Sequence, residues 1–244
     1  MKTNRNQYIA IAPLALLPLL SLLASQPCKA ETNNNLVIAG VQVASKSTYA
    51  FSTAIVPFGD ARLGQGWYQK AGLSWMNYRY DGTLNGSTSE VSASAPGLEA
   101  GMGHVWNNES SRLDLSATLG YRHIGITPFI PAGDRSGNVF TLNPQIQASR
   151  QLNSSIDAEL LANYAIGMES SFIRTRLGWK PVTGWRTGLE GIWQDGKNYH
   201  VAQQGLFLMK TLASGMTLEI NAGQAKPENE SASAYVGLTV ASTF

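Results

Sequence analysis

The stretch "RLDLSATLGYRHIGI", residues 112–126, decides how the rest of the chain is read. Leu113, Leu115, Ala117, Leu119 and Tyr121 fall on one parity, and Asp114, Ser116, Thr118, Gly120 and Arg122 on the other. Strict alternation is the pattern of a β-strand, whose successive side chains point to opposite faces. A soluble core has no use for the second, polar set, so the strand separates an apolar environment from an aqueous one. "SIDAELLANYAI" (155–166) repeats the split: Ile156, Ala158, Leu160, Ala162, Tyr164 and Ile166 stand against Asp157, Glu159, Leu161, Asn163 and Ala165. "MTLEINAG" (216–223) shows it again. The last thirteen residues, "ASAYVGLTVASTF" (232–244), alternate an apolar parity at Val236, Leu238 and Val240 with a smaller, more polar one at Tyr235, Gly237 and Thr239. A terminal strand of this kind is an aggregation edge unless it closes onto another strand.

Composition agrees with many half-apolar segments. Charged residues are 14% of the 244, against about 25% in ordinary soluble domains, while mean hydropathy is only −0.11. A net charge of +2 gives no reason to expect a nucleic-acid partner. The chain opens with Lys2 and Arg5, runs through the apolar "YIAIAPLALLPLLSLLAS" (8–25) and reaches small residues before Glu31. That layout predicts a secretory signal over 1–30, cut after Ala30, followed by one domain over 31–244. Cys28, the only cysteine, leaves with the signal, so no disulfide framework is expected.

Division at Gly, Pro, Asn, Asp and Ser clusters predicts twelve strands, near 36–45, 48–58, 67–80, 97–106, 112–126, 138–151, 155–167, 171–180, 184–194, 200–211, 215–224 and 233–244. Most match the 9–11 residues that cross a bilayer at a tilt. Short connections such as "NNES", "LNSS", "VTG" and "ASG" alternate with the long "DGTLNGSTSEVSASAP" (81–96) and "TPFIPAGDRSGN" (127–138). The expected fold is an all-β, closed, antiparallel up-and-down transmembrane barrel of about 12 strands, with short periplasmic turns and long outer loops. Trp67, Trp106, Trp179, Trp185 and Phe244 fall at the short-turn ends of their strands. Tyr78, Tyr80, Tyr121, Tyr164, Phe172, Trp193, Tyr199 and Tyr235 fall at the long-loop ends. They are expected to form the two interfacial belts in outer-membrane lipid, with Phe244 as the terminal aromatic read by barrel-insertion machinery.

No GxSxG elbow, HExxH or P-loop is present, and no cofactor or metal is expected. An outer-membrane lipid hydrolase would need a Ser–His pair on the outer face. "GYRHIG" (120–125) and "MGHVWN" (102–107) lack the serine partner, so a non-enzymatic role is favoured. His104, His123 and His200 read as isolated histidines. The sequons at Asn85, Asn108, Asn153 and Asn229 are chance matches in such a fold, two of them in tight turns.

Inward charges form the candidate site. If strands 155–167 and 171–180 pair around Met168 and Glu169, Asp157 lies opposite Lys180, with Glu159 diagonal to Arg176 and Lys180. The next pairing sets Arg176 opposite Glu190 and Lys180 near Arg186, with Arg174 on the same face. A two-sign ladder of this kind either rigidifies the interior or lines a polar path.

The stretches "IVPFGDARLGQGWYQKAGLSWMNYRYDG" (55–82), "GLEAGMGHVW" (97–106), "LGYRHIGITP" (119–128) and "IRTRLGWKPVTGWRTGLEGIWQDGKNYHVAQQGLFL" (173–208) resemble the cellulose biosynthesis protein BcsS family. The resemblance covers nearly all of 31–244. It implies an outer-membrane accessory protein of bacterial cellulose production and secretion, with β-glucan and periplasmic components of a cellulose synthase complex as partners, and carries no catalytic residues. Two roles follow: a pore or anchor for the glucan, or a structural or adhesive barrel acting through its loops. A glucan path calls for inward aromatics on which sugar rings stack, and alternation offers Tyr68, Tyr78 and Tyr80.

Overall fold

Each alternating segment pairs with the segments before and after it, and the last returns to the first. The computed structural model describes residues 35–84, 87–128, 136–197, 199–228 and 231–244. The predicted signal over 1–30, Cys28, Asn85 and Asn229 lie outside them. The strands are β1 (Leu36–Ala44), β2 (Ser47–Pro57), β3 (Gly66–Leu84), β4 (Ser87–Asn107), β5 (Ser111–Thr127), β6 (Gly137–Gln151), β7 (Ile156–Ala165), β8 (Ser170–Trp179), β9 (Trp185–Gly196), β10 (Tyr199–Thr211), β11 (Thr217–Pro227) and β12 (Ser233–Thr243). All are antiparallel to their neighbours, and β12 closes on β1 from Leu36↔Thr243 to Ala44↔Tyr235. Closure leaves no unpaired sheet edge along β12. Among the described residues there is no helix.

Direct cross-strand partners share a face, so the register assigns every side chain to one side of the wall. Leu73, Leu98, Leu119, Leu189, Leu206, Ile220 and Val236 are all more than half exposed on the outer face. In water such a band would be an aggregation surface; in lipid it is the expected apolar girdle. Trp67, Trp106, Trp179 and Trp185 ring one end of it on the outside, as expected. At the other end the outward aromatics are Tyr121, Phe140, Tyr164 and Trp193, with Tyr121 and Phe140 in ring contact at 5.2 Å.

The expected outer belt needs a correction here. Tyr78, Tyr80, Phe172, Tyr199 and Tyr235 share faces with Ala93, Val91, Gln194, Gly196 and Ala44 in the ladder and belong to the lumen, because parity, not height alone, decides which solvent an aromatic meets. The "long loop" 81–96 is also corrected. Most of it is strand: β3 has 19 residues and β4 has 21, paired to the rung Leu84↔Ser87. β5 and β6, at 17 and 15 residues, are also long, whereas β7 and β8 have 10 each. The rim is therefore tall over β3–β6 and low over β7–β8.

At the Trp-ringed end the turns are capped locally. Asn108 Oδ1 accepts from the backbone N–H of Ser110 and Ser111 at 3.1 and 2.7 Å, and Asn153 Oδ1 does the same for Ser155 and Ile156 at 2.8 Å each. Asn side chains favour such turns because they mimic a backbone turn. Phe244 follows β12 and is 44% exposed.

Candidate lumen site

Parity brings the inward charges of β7, β8 and β9 onto one wall, and closure adds β10, β11 and β12. Arg176 is opposite Glu190, as the pattern predicts. Its Nε donates to Glu190 Oε2 at 2.6 Å. Its other two nitrogens reach past β9 and β10 to Glu219 on β11: Nη1 donates to Oε2 at 2.8 Å and Nη2 to Oε1 at 2.5 Å. The fork of the guanidinium fits that carboxylate face to face, the geometry for which arginine is suited and lysine is not. On the way Arg176 lies over the ring of Phe207, 4.6 Å from its centroid. Glu190, with its side chain fully buried, also accepts from Asn221 Nδ2 at 2.9 Å and Tyr235 Oη at 3.3 Å. Every lone pair that burial strips of water is thus given a donor.

Arg186 anchors a second unit below. It binds Asp157 through Nε at 2.9 and 3.1 Å and through Nη2, and its Nη2 also lies 3.1 Å from Glu159 Oε1. Lys180 Nζ completes the unit 3.1 Å from Asp157 Oδ2. The guanidinium carbon of Arg186 stands 4.9 Å from the same Phe207 ring. One aromatic therefore sits beneath two cations, each stabilised by the π face at about 0.5–2 kcal/mol depending on hydration. Gly178, opposite Asp157, makes room: a Cβ there would fall 2.5 Å from Arg186 Nε and 2.6 Å from Asp157 Oδ1.

Three details differ from the expected ladder. Asp157 is opposite Gly178, not Lys180, and Glu159 is opposite Arg176 and not diagonal to it. The turn is centred one residue earlier than expected, with Gly167 at φ 97 and Glu169 at φ 53, and that slides the register by two. A slide of two preserves parity, so the same residues remain inside. Arg176 lies between Glu190 and Glu219, not between Glu159 and Glu190; Glu159 goes to Arg186. Arg174 shares the inward parity of Arg176, but it makes no ion pair among the described residues. Phe207 and Glu219 were the missed members. Glu219 carried a signal, a charge flanked by Leu218 and Ile220 in mid-strand, but nothing along the chain couples it to Arg176.

The opposite wall, β3 to β6, is polar in a different way. Lys70 Nζ lies 3.4 Å from Glu99 Oε1 and donates to Gln145 Oε1 at 3.3 Å. Glu99 Oε2 accepts from Thr118 Oγ1 at 2.9 Å and Asn143 Nδ2 at 3.4 Å. Toward the Trp-ringed end, Tyr68 Oη donates to Asp114 Oδ1 at 2.5 Å and Arg112 Nη2 to Asp114 Oδ2 at 3.0 Å. Gln42 on β1 donates to Gln203 on β10 at 3.0 Å, crossing the face of β11 and β12. Above this girdle the lumen is lined with aromatics. Tyr49 stacks with Phe51 at 5.7 Å, and Tyr78 with Tyr80 at 5.9 Å, on neighbouring strands.

The histidines do not assemble a site. His104 faces outward against Trp67 and Trp106, His123 Nδ1 meets Asn138 Oδ1 at 2.8 Å, and His200 Nδ1 lies 3.3 Å from Asp195. Among the described residues no cluster of His, Cys, Asp and Glu could hold a metal ion.

The barrel is similar to solved outer-membrane proteins in fold alone. The KdgM porin in complex with disordered oligogalacturonate matches at TM-score 0.56 and 8% identity, over 86% of this chain and 99% of that one. An outer-membrane channel from Pseudomonas putida F1 matches at TM-score 0.56 and 10% identity, over 90% and 100%. The translocator domain of the autotransporter NalP from Neisseria meningitidis matches at 0.52 and 11%, over 96% and 95%. Among curated proteins, none matches this chain in sequence. The family model for cellulose biosynthesis protein BcsS matches residues 36–244, all twelve strands, and the chain belongs to that family.

Proposed function

We propose that this barrel is a non-catalytic outer-membrane component of bacterial cellulose secretion whose lumen takes a neutral β-glucan. In this reading residues 1–30 direct export, the Trp-ringed end faces the periplasm and its synthase components, and the β3–β4 hairpin faces outward. Phe244 serves the insertion machinery. The observation that carries it is the lumen wall: Tyr49, Phe51, Tyr78 and Tyr80 offer ring faces above a girdle in which Lys70, Arg176 and Arg186 each meet a carboxylate. Pyranose rings present apolar C–H faces that stack on aromatics. Carboxylates already hold Lys70, Arg176 and Arg186, which among the described residues leaves Arg174 and Arg122 as the inward cations without one and lessens the wall's pull on an acidic polymer. Support comes also from the family assignment and from a porin of this fold being described in complex with an oligogalacturonate, a sugar chain though an acidic one.

The test is reconstitution into planar bilayers. A conducting barrel whose current is blocked by cello-oligosaccharides, and far less by oligogalacturonates of equal length, supports the proposal. No conductance, or preferential block by the acidic sugar, overturns the glucan path.

A second reading has its own observation. The rungs from Gly82↔Ser89 to Leu84↔Ser87 lie beyond Ser47↔Tyr78, the last rung between β2 and β3, and beyond Arg79 and Asp81, which reach back to Ser45 and Lys46 of the β1–β2 turn. Such a ribbon suits an adhesive or anchoring role. Deleting 82–89 should leave conductance intact; loss of cell-attached cellulose in that variant would favour anchoring over passage.

A further inference from the structure

We infer that the outer wall of β4–β7 carries a glycerophospholipid site at the Trp-ringed end. A groove of about 530 Å3 lies there, inside the ~300–1,000 Å3 range of ligand-sized clefts. Its floor follows from register. Trp106, Leu113, Ala148 and Leu160 form one outward row across four strands, and Arg150 lies opposite Ala158 one step nearer the rim. The alanines leave a trough between Leu113 and Leu160, which are each 37% exposed, with the half-exposed indole of Trp106 as one bank.

The occupant is set by charge and depth. Arg150 is exposed on the lipid side of the wall and makes no ion pair among the described residues. A guanidinium binds a phosphodiester in two-pronged fashion. It sits at the level where tryptophans mark the interface, with the apolar trough running from it toward the bilayer centre. A phosphate at Arg150 and an acyl chain over Ala148 satisfy both halves at once, which neither a free phosphate nor a hydrocarbon does. On the orientation stated above, this is the phospholipid leaflet of the outer membrane. Of the carboxylates nearby, Glu109 in the adjoining turn does not line the groove, and Glu159, which does, has the inward parity and is held 3.1 Å from Arg186 Nη2. An anionic headgroup is favoured over a zwitterionic one because basic pockets at this depth select lipids by charge.

Native mass spectrometry of the full barrel, with phosphatidylglycerol or phosphatidylethanolamine added to the detergent, tests the site. The wild type should retain one phosphatidylglycerol at collision energies that strip phosphatidylethanolamine. Arg150→Gln should lower that adduct at least five-fold, and Ala148→Leu, which keeps the charge and fills the trough, should do the same. Both variants must show wild-type heat-modifiable mobility on gels; Ala148→Ser, which leaves the trough open, serves if Ala148→Leu does not fold and should retain the lipid. Loss with Arg150→Gln but full retention with Ala148→Leu would reduce the site to a surface charge and overturn the proposal, as would competition by inorganic phosphate.

Discussion

The two walls of the lumen handle buried charge differently. On β7–β12, Arg176 has 3% of its side chain exposed and its partners Glu190 and Glu219 have 0% and 10%. On β3–β6, Lys70 and Glu99 have 11% and 29%, and the carboxylate shares itself among a lysine, a hydroxyl and an amide. The first is a closed set of forked pairs over an aromatic ring; the second is a looser mesh that water reaches. Desolvated ions hold a structure together only while every partner is present, and removing one leaves an uncompensated charge. A wetted mesh tolerates loss, and its exposed groups are free to meet a solute. The arginine wall is therefore a clamp, and the lysine wall with the aromatics above it is the surface that a polymer would touch.

The largest effect should come from Arg176→Leu, which strands Glu190 and Glu219. Unfolding by urea in lipid vesicles, followed by tryptophan fluorescence, should show a loss of about 3–5 kcal/mol. A loss near zero would mean that water fills the clamp and would erase the contrast between the walls. Gly178→Ala should come next: its methyl group cannot fit beside Arg186 and Asp157 without moving that pair. The same assay should show about 1–3 kcal/mol, the cost typical of overpacking. Gly72→Ala on the other wall, where the nearest atoms are 3.2 Å away, should cost less.

Lys70→Met should cost roughly 1 kcal/mol or less, because Glu99 keeps two other donors and some water. It should instead shift the reversal potential of the conducting barrel toward cation selectivity, since an unmatched carboxylate then faces the lumen. An unchanged reversal potential would place Lys70 off the ion path. Smallest in stability and largest in function should be Tyr49→Ala with Tyr78→Ala. The folded fraction on unboiled gels should match wild type, while block by cello-oligosaccharides weakens several-fold. Undiminished block would remove the aromatics from the proposed path.

Much of this was legible in the alternation of residues. Period two in "RLDLSATLGYRHIGI" separates Leu115 and Leu119 from Asp114 and Thr118 whatever the register, because adjacent side chains on a strand point to opposite faces. The same parity placed Asp157, Glu159, Arg176, Arg186 and Glu190 together on the inside, and the Arg176–Glu190 rung survived because the "PVTG" connection leaves little freedom. Turn residues also marked Asn108 and Asn153, where a local hydrogen bond suffices. Tertiary structure decided the remainder. The turn at Gly167 chose between registers two residues apart, to which the hydrophobic pattern is blind. Strand pairing continued through most of "DGTLNGSTSEVSASAP", to the rung Leu84↔Ser87, although its Gly and Ser content reads as loop, because a ladder begun at Gly66↔Val105 adds backbone hydrogen bonds as it extends. Closure then brought Glu219, 43 residues away, onto Arg176 across the ring of Phe207. That contact depends on the curvature of four strands, a property of the closed wall that no local pattern of residues contains.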